Sequence, residues 1–320
     1  MWPSANAQSR ALSLPGAAQA TAKGRKTIIT VPQAFTTATV IREGDAGRKW
    51  IHALPGLVED LCQHWNLRRD GPVMHGYLGL VIPVRRVEEP CVLKVSWTDE
   101  AASSEAMALA AWNGQGAVRL LASQPALGAL LLERLDHRRS LNDVEIVEAV
   151  EVASRLLRRL SIPVPSDFRS LRLVTQDLCH TLPQRWEQYG RPMPQRWVEQ
   201  ACELAVQLGT SCGNLLVNYD LHYADVLRGK REPWLVVDPK VVIGDPEFGI
   251  AQLLWCRLED IEAKGGLDRH FRMLIEAATL DPVRARSWTL VRCVDYWLWA
   301  LSVGLTHDPD RCETIVNWLI

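Results

Sequence analysis

The chain has almost no net charge, with 36 basic residues against 37 acidic ones and a formal charge of -1. A protein that neutralises phosphates or anionic lipid needs a basic excess, so composition gives no case for a nucleic-acid or polybasic membrane partner. The eight cysteines, Cys62, Cys91, Cys179, Cys202, Cys212, Cys256, Cys293 and Cys312, include no CxxC pair and no Cys/His cluster at zinc-ligand spacing. That pattern fits reduced, mostly buried thiols of a cytoplasmic protein. No uninterrupted apolar span is long enough for a membrane. The best candidate, Ser287 to Leu305, carries Arg292 and Asp295 in mid-span and reads as a buried amphipathic helix. Met1 to Lys26 lacks the apolar core of a secretory signal, and residues 1–31 read as a disordered tail. A rigid GxGxxG phosphate loop is absent, as are internal repeats.

What is present fits two lobes sharing a cleft, because 320 residues exceed the usual single core. From Ala46 to Leu67 apolar residues recur at three- and four-residue steps, predicting a helix that Pro55 breaks in two. Strand patterns follow in Gly71 to Val84 and Cys91 to Trp97, the glycines Gly76 and Gly79 marking either a plain hairpin or a turn whose backbone N–H groups cover phosphates. An alanine-rich helix, Ser103 to Trp112, and strands at Val118 to Ala122 and Ala129 to Glu133 complete a small α+β lobe over residues 32–135. Residues 136–320 read as a larger, mainly helical lobe. Its first helix begins at Asn142 with Glu145 in a capping arrangement, and its second runs from about Arg196 to Leu208 after a Pro-containing connection. Short strands are expected at Leu215 to Val217 and Trp234 to Val237.

The chemistry concentrates in Val217-Asn218-Tyr219-Asp220-Leu221-His222-Tyr223-Ala224-Asp225 and in Val236-Val237-Asp238-Pro239-Lys240. Phosphoryl transfer needs a carboxylate that orients an acceptor hydroxyl and takes its proton, and oxygen ligands that hold magnesium against the triphosphate. Asp220 suits the first role; Asp225 and Asp238 suit the second. The phosphates also need a fixed cation. Lys94 lies in a predicted strand whose apolar neighbours give it an inward-facing position, where a lysine needs a partner, and Glu105 on the next helix is the expected one. His222 fits a loop-ordering role, and Asp245, in Gly244-Asp245-Pro246, fits a helix cap.

These segments resemble the Asp-Leu-His loop and the metal-binding Asp of the aminoglycoside phosphotransferases. Trp112-Asn113-Gly114-Gln115-Gly116-Ala117-Val118-Arg119-Leu120-Leu121 and Val236-Val237-Asp238-Pro239 are similar to runs of the streptomycin 6-phosphotransferase and hydroxyurea phosphotransferase branch. The resemblance runs from about Pro32 to the C-terminus. It implies a two-lobed protein-kinase-like α+β fold and an ATP- and magnesium-dependent O-phosphotransferase conferring antibiotic resistance. Its partner would be a small hydroxylated acceptor, with no nucleic acid, membrane or protein partner. By the same likeness Lys94 contacts the α/β phosphates, Glu105 pairs with it, and Leu132 to Leu135, including Glu133, form the adenine-binding hinge. Asp220 is then the catalytic base, and Asp225 and Asp238 the metal ligands. Where that family commonly has His-Gly before the base, this chain has Asn218-Tyr219, and Asp225 stands where a metal-binding Asn is usual. Three converging carboxylates should raise at least one of their pKa values. The alternative implied by these departures is a catalytically weakened kinase-fold binding protein.

Overall fold

The structure, a computed structural model, describes residues 29–98, 100–164 and 167–320. The expected N-terminal tail therefore lies almost wholly outside the described residues; within them, Ile29 is already buried in the core of the first lobe.

Helix α1 (Gln33–His64) precedes the strands β1 (Leu67–Arg69), β2 (Met74–His75), β3 (Gly79–Arg86) and β4 (Glu89–Ser96). Helix α2 (Glu100–Trp112) leads into β5 (Leu120–Gln124), β6 (Ala129–Glu133) and β7 (Asp136–Ser140). The antiparallel sheet runs β1-β3-β4-β6-β5, with β2 paired to β3. Alternation along β4 sends Cys91, Leu93 and Val95 into the core against Leu54, Val58 and Leu61 of α1, and Val92 and Lys94 to the opposite face. The interruption of α1 falls at Gly44, whose φ of 61° and ψ of -135° lie outside helical space, rather than at Pro55. The turns around Pro55 are instead held by the buried stripe Leu54, Val58 and Leu61 against the sheet, which outweighs the hydrogen bond that proline removes.

Gly128 enforces the return from β5 to β6. It adopts φ 62°, and a Cβ there would sit 2.2 Å from the carbonyl oxygen of Ser96. Gly128→Ala is therefore expected to lower stability by roughly 1–3 kcal/mol, read as a fall in the urea midpoint at unchanged m-value. An unchanged midpoint would mean that the turn relaxes freely.

The second part of the chain contains α3 (Ile146–Leu160), β8 (Ile162–Pro163), α4 (Leu171–Gln188), α5 (Gln195–Thr210) and the strands β9 (Leu215–Asn218), β10 (Val226–Arg228), β11 (Trp234–Val236) and β12 (Val241–Gly244). Helices α6 (Ala251–Trp255), α7 (Leu258–Ala263), α8 (Gly266–Ala278), α9 (Pro282–Ser302) and α10 (His307–Leu319) complete it. Two small sheets, β11-β10-β7 and β12-β9-β8, sit among these helices. The α2 face bearing Ala108, Leu109 and Trp112 packs into this larger core, and the Trp112 indole N–H donates to the Leu160 carbonyl at 2.8 Å.

Three local expectations are corrected. The Pro-containing connection before α5 is itself a helix, α4, started by Ser170 accepting from the Leu173 N–H. Its buried residues Leu171, Thr175, Leu178, Leu182 and Trp186 keep helical spacing past Pro183. Asn142 does not cap α3; Ser140 and Asp143 form the capping box of a short 3-10 turn, and Glu145 is the α3 cap, accepting from Val147 N–H at 2.9 Å. Asp245 makes no side-chain cap bond. Its carboxylate accepts from the Gly213 N–H at 2.7 Å and the Trp288 indole at 2.8 Å, and pairs with Arg284. Among the described residues no helix is long and apolar enough to cross a membrane.

Candidate active site

Two strand pairs position the acidic residues. In β10/β11, Val226 faces Val236, and the Val237 N–H donates to the Asp225 carbonyl at 2.8 Å, so Asp225 and Asp238 emerge side by side at the open end. In β9/β12, Asn218 faces Val241, and the chain on either side carries Asp220 and Lys240 just beyond the pair. Asp238 takes a left-handed φ of 50°, a conformation Asp tolerates better than most residues.

Lys94 reaches across the cleft. Its Nζ donates to both oxygens of the buried Glu105 at 2.7 Å and to Asp238. Burial disfavours the ammonium, but Asp238 and Glu105 outweigh it and raise the Lys94 pKa, so Lys94 stays charged. Enclosure in the cleft likewise works against Asp238, yet Lys94 and Lys240 hold it down at about 2. The Asp238 side chain is 55% exposed and opens into the cavity, whereas Asp220 is only 3% exposed.

Asp220 is fixed on every side. Its Oδ1 accepts from the Gln252 amide at 2.7 Å, and its Oδ2 pairs with the Lys240 ammonium. Its backbone N–H donates to the Asn218 side-chain oxygen at 3.2 Å, and the same oxygen accepts the Lys240 N–H at 3.2 Å. Asn218 therefore ties the Asp220 loop to the segment after Asp238. The Tyr219 ring packs edge-on to Phe248 with centroids 5.9 Å apart, and its carbonyl accepts from Arg292 at 2.9 Å.

His222 pairs through Nε2 with Asp225 Oδ2 at 2.9 Å. Burial opposes the imidazolium, but Asp225 overrides it and pushes His222 up to about 9. Burial raises the Asp225 pKa against the pull of His222, and Asp238 and Asp220 add to the rise. Burial is thus the main cause, the neighbouring carboxylates add a smaller part of the rise, and His222 offsets some of it.

A cavity of about 480 Å³ is lined by Lys94, Glu105, Leu132, Glu133, Leu135, Asp225, Asp238 and Lys240. All the sequence-predicted residues except Asp220 thus meet around one space. The Glu133 carboxylate is engaged by Arg231 at 2.7 Å and by the Arg119 N–H at 3.1 Å. A second cavity of about 640 Å³ adjoins Tyr189, Tyr219, Asp177, Arg185, Asp295 and Trp299, and Lys240 lines this one as well. Asp220 lies behind Lys240. Lys240, Gln252 and Arg292 are missed by sequence reasoning; Lys240 stands two residues after Asp238, but no periodicity marks it as facing Asp220.

Among the described residues no group of three or more His, Cys, Asp and Glu is arranged to hold a metal ion. The oxygen donors of Asp225 and Asp238 are of the chemical type that a hard cation takes.

A sequence model of the aminoglycoside/hydroxyurea antibiotic resistance kinases matches residues 64–304. The chain belongs to that family. This kinase is 35% identical to a hydroxyurea phosphotransferase of Kitasatospora aureofaciens over 298 residues, 92% of this chain and 86% of the relative. It is 34% identical to a streptomycin 6-kinase of Streptomyces glaucescens over 299 residues, 91% and 97% of the two chains. Its fold matches a thermostable mutant of aminoglycoside phosphotransferase APH(4)-Ia solved with ADP and hygromycin B, with TM-score 0.56, 14% identity, and 81% and 97% coverage. It also matches choline kinase LicA from Streptococcus pneumoniae, with TM-score 0.54, 10% identity, and 84% and 99% coverage. The protein is accordingly a small-molecule phosphotransferase of the antibiotic-resistance class with a two-lobed, protein-kinase-like α+β fold.

Proposed function

We propose that this kinase transfers the γ-phosphoryl group of ATP, with magnesium, to a hydroxyl of a streptomycin-like or hydroxyurea-like acceptor. The observation that carries the reading is that Lys240, which pairs with Asp220, lines both cavities. The first cavity takes the nucleotide, its adenine against the segment from Leu132 to Leu135 and its α/β phosphates on Lys94, which Glu105 holds in place. The second takes the acceptor. Asp225 and Asp238 are the residues that would hold magnesium, which neutralises charge on the phosphates when bound.

In the transfer, Asp220 orients the acceptor hydroxyl and takes its proton as the oxygen bonds to the γ-phosphorus. The bond from that phosphorus to the β–γ bridging oxygen breaks, ADP leaves with the electron pair, and Asp220 later returns the proton to solvent. Because Asp220, Gln252, Asn218 and Lys240 form a preorganised set, the departures at Asn218 and Tyr219 support an active loop rather than a weakened one.

The test is incubation with ATP, magnesium and either streptomycin or hydroxyurea, followed by mass spectrometry for addition of one phosphoryl group. Failure on both, with a nucleotide-dependent thermal shift intact, would remove streptomycin and hydroxyurea as acceptors. Asp238→Ala is expected to abolish the part of the ATP thermal shift that depends on magnesium, and to leave the magnesium-free part in place. An unchanged magnesium increment in this variant would remove Asp238 from the metal site.

A further inference from the structure

Lys240 has a position that a simple counter-ion would not need. Its side chain is 9% exposed, it pairs with Asp220 Oδ2, and it is the one described residue that lines both cavities. Its backbone is pinned at both polar groups: the N–H donates to Asn218 Oδ1 at 3.2 Å and the carbonyl accepts the Tyr219 N–H at 2.9 Å. The ammonium is therefore held at a fixed place between the space for the donor and the space for the acceptor. Lys94 cannot serve there, because Glu105 and Asp238 hold its Nζ on the side of the first cavity.

We propose that Lys240 is a second catalytic cation, contacting the phosphoryl group as it passes between the ADP oxygen and the acceptor oxygen. The inference rests on the phosphotransferase reading above. In phosphoryl transfer the moving group carries charge on three equatorial oxygens, with the attacking and leaving oxygens in line, and little covalent chemistry falls to the protein. A fixed cation on that line stabilises the transition state more than either bound ground state. The pairing with Asp220 keeps base and cation in register, so the group that takes the proton and the group that meets the phosphoryl oxygens move as one unit.

Lys240→Met is expected to lower kcat by about 10²–10³-fold, the range for losing one electrostatic contact in a preorganised site. The KM of the acceptor and the thermal shift given by ADP should stay unchanged, since neither ground state depends on the contact. Lys240→Arg, which keeps the charge, should recover at least about tenfold of the loss, corresponding to ~1.4 kcal/mol of transition-state stabilisation. A Met variant with kcat within about threefold of wild type overturns the assignment. So does a Met variant whose loss lies in KM or in the ADP shift, because that marks ground-state binding or packing. If the Met variant gives no cooperative unfolding, Lys240→Arg and Lys240→Gln carry the comparison, and equal kcat in the two overturns it. A folded Arg variant without turnover does so too. Absence of turnover by the wild-type protein on every acceptor strikes the phosphotransferase reading instead, and is read before any variant is made.

Discussion

Asp220→Asn is expected to lower kcat by about 10²–10⁴-fold, the usual contribution of a positioned general base, while ADP still raises the melting temperature as it does for the wild type. The physical reason is chemical as well as positional. An amide has nearly the shape of the carboxylate but takes no proton at neutral pH, and only one of its two polar atoms accepts a hydrogen bond. In the native protein both oxygens accept, one from Gln252 and the other from Lys240. One of those donors then faces an N–H₂ group, so a stability loss of roughly 1–3 kcal/mol should accompany the kinetic defect. Asp220→Ala goes further, because it leaves the nearly buried Lys240 ammonium without its carboxylate, and removing one partner of such a pair costs about 3–5 kcal/mol. Steady-state kinetics and urea unfolding on the two variants separate the effects. Comparable kcat in wild type and Asp220→Asn would show that proton transfer lies elsewhere.

A structural effect of the same size is expected away from the reacting groups. Trp288→Ala should destabilise the protein by about 3–5 kcal/mol, the range for deleting a large buried aromatic. Trp288 is fully buried in the middle of α9, meets Phe248 edge to face with centroids 5.1 Å apart, and donates its indole N–H to Asp245 at 2.8 Å. Asp245 in turn holds the Gly213 N–H and Arg284, so one substitution opens a cavity and loosens a polar junction among α9, the end of β12 and the segment before β9. Phe248 is also the ring against which Tyr219 packs, which links this junction to the Asp220 loop. Trp288→Phe, which keeps most of the ring and loses the donor, should cost about 1.5–3 kcal/mol, the range for losing a hydrogen bond to a charged group, since Arg284 still meets the same Asp245 oxygen. Chemical denaturation at constant m-value reads both. A loss below about 1 kcal/mol for the Ala variant would mean that neighbouring side chains collapse into the space.

The sequence carried different parts of this molecule with different clarity. Lys94 was legible as a strand residue in need of a partner, because its apolar neighbours are a local signal for an inward-facing position; alternation in β4 instead turns it to the face opposite Cys91, Leu93 and Val95, where Glu105 and Asp238 pair with it. The α4 helix carries a readable stripe, since Leu171, Thr175, Leu178, Leu182 and Trp186 keep one face, but Pro183 inside it is a local signal against a continuous helix. Capping was read one step out of place. Asn142 has the right chemistry, yet Ser140 and Asp143 close a 3-10 turn first, and Glu145 then serves as the cap. Asp245 was the hardest to read, because what it binds comes from residue 213 on one side and residues 284 and 288 on the other.

By itself the sequence determined a strand-rich first part, a mainly helical second part and the turns that carry Asp220, Asp225 and Asp238, since period-two and helical patterns and local turn chemistry act over a few neighbouring residues, while the kinase-like fold was implied by the resemblance of its motifs to a known family. Only the tertiary structure decided that Lys240 pairs with Asp220, that Gln252 completes the carboxylate's shell, and that Lys240 borders both cavities. Those contacts join strands and helices far apart in the chain, and side-chain direction across such distances is set by how the elements pack.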